Sequence, residues 1–145
     1  MTFIKIADEG EYPIVVSFVQ EGFKELGGFD YDYDHIAINV MKGLDIAPSF
    51  IVYDGSNPIG VASLNYCSVL WSKYPVLTTN MVYVLKEHRT FAIIKMLYEA
   101  IRKFADLKKV LYLDVFYGQD RSGSKLRLAK INGLEELGSS IYYKG

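Results

Sequence analysis

The fold is decided by one stretch: Leu77-Thr-Thr-Asn-Met-Val-Tyr-Val-Leu85, the turn Lys86-Glu-His-Arg89, and a long segment that runs from Thr90 to Leu107. The first nine residues are rich in β-branched and aromatic side chains, which predicts a strand. From Thr90 onward apolar residues recur at three- and four-residue steps, which predicts a helix with one buried face. A second apolar run, Val110 to Phe116, predicts a buried strand. A strand, a helix and a strand in this order predict a right-handed parallel crossover.

The remaining pattern places helices and strands in alternation on either side of this unit. An apolar run with Pro13 in its first turn predicts a helix that ends before Gly27-Gly28. Five further elements are predicted: a strand Phe3–Ala7, a helix His35–Lys42 capped by Asp34 and ending near Gly43, a hairpin of Ser49–Tyr53 with Pro58–Tyr66, a helix Ser124–Ile131, and a strand Ile141–Tyr143. Interleaved elements of this kind predict an α/β fold, with helices on both faces of a central mixed sheet. We expect residues 1–145 to form one domain.

Composition narrows the class of protein. The chain has 145 residues, of which half are hydrophobic, and its formal net charge is −1. Such a balance is typical of a compact globular protein and argues against a nucleic-acid-binding surface. Its single cysteine, Cys67, is expected to be a small buried hydrophobe, and the lack of a possible internal disulfide suggests a reducing, cytoplasmic location. Neither a signal peptide nor a membrane partner is expected.

The junction between the 77–85 strand and the following helix carries the chemistry. A helix that starts directly after a parallel strand directs unpaired N–H groups and the positive end of its dipole at the space above the sheet edge. A diphosphate would bind well in that space.

Here the sequence resembles the GNAT superfamily of acyl-CoA-dependent N-acyltransferases. The family's signature is a valine-bearing strand, a short turn, and Q/R-x-x-G-x-G/A at the start of a long helix. This chain has Val82-Tyr-Val84 on the strand and Arg89-Thr-Phe-Ala-Ile-Ile94 at the helix. The segment Lys130-Ile-Asn-Gly133-Leu134 with the following residues to Tyr143 is similar to the family's closing helix and strand.

The resemblance implies transfer of an acetyl group from acetyl-CoA to a primary amine, with no metal. Main-chain groups of Val82 and Val84 would pair with the pantetheine arm, and a cleft would separate this strand from the next. Amides between Arg89 and Ile94 would bind the diphosphate, and they include those of Thr90, Phe91 and Ala92. The acceptor would be a small molecule or peptide.

Two departures from the motif are informative. Ala92 and Ile94 stand at the two glycine positions, and losing one amide-to-phosphate hydrogen bond there would cost about 1.5–3 kcal/mol of binding. Ala129 occupies the position where many members have a tyrosine that protonates the departing thiolate. These residues favour an alternative, a non-catalytic GNAT-fold binding protein that has weakened its hold on CoA.

The general base and acid are open from sequence. Asn80 and Tyr117 are the selected catalytic candidates, because Asn80 lies on the correct strand and Tyr117 follows the buried strand at the cleft. Three further residues are considered as bases: Thr79, Glu87 and Asp114.

Other features have ordinary explanations beside functional ones. Asp30, Asp32 and Asp34 fail the EF-hand pattern and are expected to form a solvated segment, which could attract a cationic amine. His35 and His88 lack partners for zinc, and we expect His88 to be a turn or packing residue. The loop Ser68–Pro75 holds large apolar residues around Trp71. This composition predicts packing onto the core, a wall of the substrate site, or a subunit contact such as that of a homodimer.

Overall fold

The computed structural model describes residues 1–114 and 123–136. Two short 3₁₀ turns, Glu9–Glu11 and Lys86–His88, each precede a helix. The strands and helices are β1 (Thr2–Ile6), α1 (Tyr12–Leu26), α2 (Tyr33–Leu44), β2 (Phe50–Asp54), β3 (Asn57–Cys67), β4 (Val76–Val84), α3 (Phe91–Lys108), β5 (Tyr112–Leu113) and α4 (Ser124–Ile131).

The strands form one mixed sheet in the order β1-β2-β3-β4-β5. The first four are antiparallel neighbours, whereas β5 lies parallel to β4. This arrangement confirms the predicted mixed sheet and the parallel pairing on either side of α3. The predicted strand Val110–Phe116 is described only to residue 114, and the predicted strand Ile141–Tyr143 lies outside the described residues.

Helices cover both faces of the sheet, as predicted. Successive residues of β2 point to opposite faces, so Ile51 packs with α1 and α2 whereas Phe50 and Val52 pack with α3. Leu97 and Ile101 of α3 are fully buried on one face. Val15 and Val19 of α1 are equally buried on the other. Both helix layers pack on the same central strands. This packing holds the end of α1 and the start of α3 near β4.

The helix boundaries follow local chemistry. Pro13 lies in the first turn of α1, and Gly27 ends that helix with a φ of 63° that favours glycine. The predicted cap of α2 is wrong, because Asp32 rather than Asp34 accepts a hydrogen bond of 3.0 Å from the amide of His35. The helix begins two residues earlier than predicted, since Asp32 is the residue with extended backbone. Asp34 lies in the first turn, where a negative charge favours the helix dipole.

The connection between β3 and β4 differs from two expectations. Cys67 is exposed rather than buried, and its thiol donates to the carbonyl of Ser68 at 3.3 Å. It is the last residue of β3, where burial decreases from Leu64 to Cys67. Leu70, Trp71 and Tyr74 are also exposed, so the loop does not pack onto the core. The subunit contact remains a prediction. Among the described residues, no helix combines the length and the hydropathy required to span a bilayer.

Glu11 joins the first helix layer to the edge of the sheet. Its carboxylate lies 2.8 Å from the ammonium of Lys5 on β1 and accepts a hydrogen bond from the hydroxyl of Tyr53 on β2. These two partners lower the pKa of Glu11 to about 2, against the opposing effect of burial. Burial, together with the hydrogen bond and charge of Glu11, raises the pKa of Tyr53 to about 12. The ionised carboxylate therefore stabilises the folded state.

We expect Glu11→Gln to lower the free energy of unfolding at pH 7 by about 1–2 kcal/mol, because it removes a charge-assisted contact that is only partly exposed. The contribution of Glu11 is complete above its ordinary pKa of 4.5 and is lost as the pH falls toward about 2. Urea unfolding from pH 7 to pH 2.5 measures this convergence of the two proteins. The exposed neighbour Glu9, replaced in the same way, is the control. A difference between wild type and Glu11→Gln that does not vary with pH would contradict this assignment.

Candidate active site

The site begins where β4 and β5 separate. Among the described residues, they pair at Leu77 with Tyr112 and at Thr78 with Leu113, although β4 continues to Val84. In residues 1–114 and 123–136, no strand pairs with this side of β4 beyond Thr78. A gap at this place is what the resemblance to the acyltransferases predicts.

The main chain of β4 directs polar groups into this gap. The amide of Leu85 donates to the carbonyl of Ile59 at 2.9 Å, which places Leu85 in a hydrogen-bonded pair with β3. Because ladder bonds alternate along an antiparallel pair, Tyr83 also faces β3, and Val82 and Val84 face the gap. This is the orientation required for the predicted role of the two valines.

A β-bulge at Asn80 changes the direction of β4 beside the gap. Ser63 pairs with Met81 and Leu64 pairs with Thr79, so Asn80 is the additional residue on β4. Its side-chain amide donates to the hydroxyl of Ser63 at 3.2 Å. A carboxamide does not ionise in the physiological range, so Asn80 can orient a ligand but is a poor general base.

A cavity of about 430 Å³ occupies the gap. It is bounded by the end of α1, the second half of β4, the start of α3, Asp114 after β5, and α4. Five of the residues selected from sequence contribute to its wall, namely Asn80, Val82, Val84, Arg89 and Ile94, and the other lining residues are Gly22, Glu25, Leu26, Thr79, Met81, Tyr83, Tyr98, Asp114, Ser124, Lys125 and Leu128.

Asp114 lies at the point where the strands part. One carboxylate oxygen accepts a hydrogen bond of 2.5 Å from the hydroxyl of Thr79, and the other accepts one of 2.6 Å from the hydroxyl of Tyr98. Both donors are buried, at 2% and 5% exposure. Burial, reinforced by the charge of Asp114, raises the pKa values of Tyr98 and Tyr112 far above the ordinary range. These phenols therefore stay neutral, and Asp114 brings the negative charge to this end of the cavity.

Arg89 closes another side of the cavity. Its Nε donates to the carbonyl of Val84 at 2.7 Å, and its two terminal nitrogens donate to the carboxylate oxygens of Glu25 at 2.6 and 2.7 Å. The guanidinium carbon lies 5.4 Å from the centre of the Tyr83 ring. One acceptor that the resemblance assigns to pantetheine is therefore already bonded to an arginine side chain.

The amides at the start of α3 are partly used within the helix cap. The amide of Thr90 donates to His88, that of Ile93 to the hydroxyl of Thr90, and that of Ile94 to the carbonyl of Thr90. In the part of the chain that the structure describes, the amides of Phe91 and Ala92 have no partner. The Phe91 side chain is half exposed and stays outside the cavity wall. Two main-chain donors are thus available for an anion.

Other candidates lie at the margin of the site or beyond it. Tyr117 lies outside the described residues. Glu87 is exposed in the turn before α3 and is not among the residues that line the cavity. His88 lies in the same turn, as expected. Ala129 is buried in α4, where it supplies no proton donor.

Glu25 and Tyr98 are site residues that sequence analysis missed, although each carried a signal. Tyr98 follows Ile94 by four residues on the buried face of α3, and a buried phenol requires a hydrogen-bond partner. Glu25 lies in the last turn of α1, where the helix dipole disfavours a negative charge. A carboxylate at such a position suggests a stabilising cation from another part of the structure.

The hydrogen bond from Thr79 to Asp114 can be tested by an isosteric change. We expect Thr79→Val to lower the free energy of unfolding by about 1.5–3 kcal/mol, because the buried hydroxyl bonds to a charged group. The control is Thr78→Val, which removes a longer bond of 3.3 Å to the neutral carbonyl of Asn65 and should cost less. Chemical denaturation at pH 7 measures the free energy of unfolding of both variants. Equal losses would show that the bond to the carboxylate contributes no more than the bond to a neutral carbonyl.

Comparisons with known proteins give a fold. No protein-family model matches the sequence, and no curated protein matches it significantly. A possible acetyltransferase from Clostridium difficile 630 is 18% identical, with 100% of this chain and 98% of the other chain covered and a TM-score of 0.74. The aminoglycoside N-acetyltransferase AAC(6')-Iy, in complex with the bisubstrate analogue CoA-S-monomethyl-acetylneamine, is 18% identical, with coverages of 100% and 98% and a TM-score of 0.76. A predicted acetyltransferase from Clostridium acetobutylicum with acetyl-CoA is 12% identical, with coverages of 99% and 96% and a TM-score of 0.78. The chain therefore has the fold of the GNAT acetyltransferases.

Proposed function

We propose that this protein transfers an acetyl group from acetyl-CoA to a primary amine. The observation that carries the proposal is the Asp114 carboxylate, held by two buried hydroxyls in the cavity where β4 and β5 separate. A base at the edge of an open strand is what an amine needs as it attacks a thioester bound along that strand.

The residues present fit acetyl-CoA, which would supply the thioester. The main chain of Val82 faces the gap and can bond to the amides of the pantetheine arm as an added strand would. The free amides of Phe91 and Ala92, with the α3 dipole, suit the diphosphate. The Ile94 side chain contributes to the wall and narrows the approach to these amides.

Asp114 is the general base of the proposal. An alkylammonium ion has a pKa near 10.4, so an amine is mostly protonated at pH 7 and must lose one proton to solvent before it can attack. The nitrogen loses a second proton as the C–N bond forms and the C–S bond breaks. Asp114 is proposed to accept this second proton, which can then pass to the departing thiolate. Each oxygen of Asp114 accepts one hydroxyl hydrogen, which leaves lone pairs for the amine proton. The leaving thiolate is less basic, with a thiol pKa near 8.5, so the loss of a tyrosine at Ala129 is the smaller handicap.

The acceptor is proposed to be a small cationic amine. Asp114 is the negative group at the end of the cavity where the acceptor would enter, and it attracts a protonated amine. The acidic residues Asp30, Asp32 and Asp34 precede or begin α2 and are proposed to add to this attraction. AAC(6')-Iy carries an analogue built from CoA and an acetylated aminoglycoside, and such amines are the first acceptors to test.

A non-catalytic binding protein is the second candidate function. One observation favours it: the Nε of Arg89 occupies the carbonyl of Val84, one of the two valines whose main chain faces the gap. Together with Ile94 at the second glycine position, this contact predicts a donor site weaker than that of an intact motif.

Thermal unfolding with acetyl-CoA separates the two candidates. A ligand that binds only the native state adds about 2.7 kcal/mol of stability at a concentration 100 times its Kd, which corresponds to a rise of about 5–11 °C in Tm. We expect acetyl-CoA to produce such a rise at millimolar concentration and adenosine, which lacks the diphosphate, to produce none. The absence of a shift with acetyl-CoA would favour the binding protein.

Replacement of Asp114 tests the base. We expect Asp114→Asn to lower kcat by about 10²–10⁴-fold, the usual contribution of a positioned base, and to leave the affinity for acetyl-CoA unchanged. Release of the CoA thiol with a panel of aminoglycosides and polyamines measures the rate. The matched control is Asp106→Asn, on the exposed side of α3. Full activity in Asp114→Asn would remove Asp114 from the mechanism.

A further inference from the structure

The contact between Glu25 and Arg89 spans the cavity from α1 to the turn before α3. It is bidentate, at 2.6 and 2.7 Å, and it joins residues 64 positions apart in the chain. Both side chains line the cavity and are about one-third exposed. A pair at such exposure contributes modestly to stability and can open readily.

Glu25 is surrounded by positive charge. Hydrogen bonds from Arg89 hold the pKa of Glu25 below its ordinary value, and the charges of Arg89, Lys86 and Lys125 act in the same direction, against the effect of burial. Lys86 and Arg89 belong to the turn before α3, and Lys125 lies at the start of α4. All three favour the ionised form of Glu25, and the same positive charge would favour an anionic ligand.

Glu25 gains nothing from its own helix. It lies in the last turn of α1, where the helix dipole opposes its charge. Arg89 is therefore its principal partner in the described structure, and the contact also holds the Nε of Arg89 against the carbonyl of Val84. The Glu25 side chain thus keeps two groups of the donor site bonded within the protein, the guanidinium of Arg89 and the carbonyl of Val84.

On the basis of the function proposed above, we propose that Glu25 sets the affinity for the acyl donor by holding Arg89 in the place of the diphosphate. When the donor binds, Arg89 leaves Glu25 and pairs with the diphosphate. The carbonyl of Val84 is then free to accept from a pantetheine amide. Glu25 acts through Arg89 and is a positioning residue.

The size of the effect follows from the population of the closed contact. If only a fraction of molecules has Arg89 free, the apparent Kd rises by the inverse of that fraction. A contact of about 0.7–1.4 kcal/mol corresponds to a three- to tenfold weakening of donor binding. Removing the charge of Glu25 should therefore strengthen donor binding by the same three- to tenfold.

The experiment is calorimetric titration of the protein with CoA. We expect Glu25→Gln to bind CoA about three- to tenfold more tightly than wild type. A gain in affinity is informative because a loss of structure would weaken binding. Glu21→Gln is the matched control, since Glu21 lies one turn earlier on α1, beside Lys24 at 3.9 Å and outside the lining of the cavity.

A double-mutant cycle with Arg89→Met tests whether the effect passes through Arg89. Glu25→Gln should have no effect on CoA affinity in the Arg89→Met protein. An unchanged or weaker affinity in Glu25→Gln, with wild type binding CoA, would overturn the role of Glu25 and leave the proposed function intact. A gain that persists in Arg89→Met would also overturn it. If neither wild type nor Glu25→Gln binds CoA, both proposals fail.

Discussion

The separation of β4 from β5 is the constraint on which the rest of the structure depends. In the part of the chain that the structure describes, two residue pairs hold the strands together, and the bulge at Asn80 comes two residues later on β4. A bulge bends and twists its strand, so the second half of β4 is free to leave β5. A strand edge left open inside a protein exposes main-chain donors and acceptors that must find partners. The cavity, with Arg89 at the carbonyl of Val84, is the consequence of that requirement.

Two carboxylates that line the cavity, those of Asp114 and Glu25, are stabilised in different ways. Asp114 is held by neutral hydroxyls, which stabilise its charge by hydrogen bonding without cancelling it. Glu25 is held by a guanidinium, so its charge is largely neutralised. The Asp114 end of the cavity therefore favours a cation, whereas the Arg89 end can accept an anion once Glu25 is displaced. This polarity fits an amine at one end and a diphosphate at the other.

The sequence predicted the elements better than the contacts between them. Helices α1, α3 and α4 begin and end close to the expected residues because periodicity, Pro13 and Gly27 act locally. The cap of α2 was misassigned because three aspartates alternate there, and each satisfies the same preference. The gap was predicted only through the resemblance, because strand separation depends on pairing between distant segments.

Long-range charge pairing was the least predictable part of the site. The sequence around Arg89 does not predict Glu25 as its partner. The two residues meet only because α1 packs over β4 in the tertiary structure. Val82 and Val84 face the gap because alternation along a strand fixes which way the main chain faces, and their role in binding pantetheine stays a prediction. The exposure of Cys67 was not predictable from the strand pattern, because burial at a strand end depends on which other segments pack over it.

Ile94 and Arg89 together indicate how this donor site differs from one built on glycines. A glycine-rich turn binds phosphate through several main-chain amides, whose partial charges are fixed in place. Here the cap of α3 leaves the amides of Phe91 and Ala92 without a partner among the described residues, and the adjacent charge is on the side chain of Arg89. A guanidinium can supply two hydrogen bonds to an anion, but it must first give up its existing acceptors. Under the proposed function, the affinity of the site is therefore set by competition between the Glu25 carboxylate and the anion that binds, rather than by the geometry of a rigid loop.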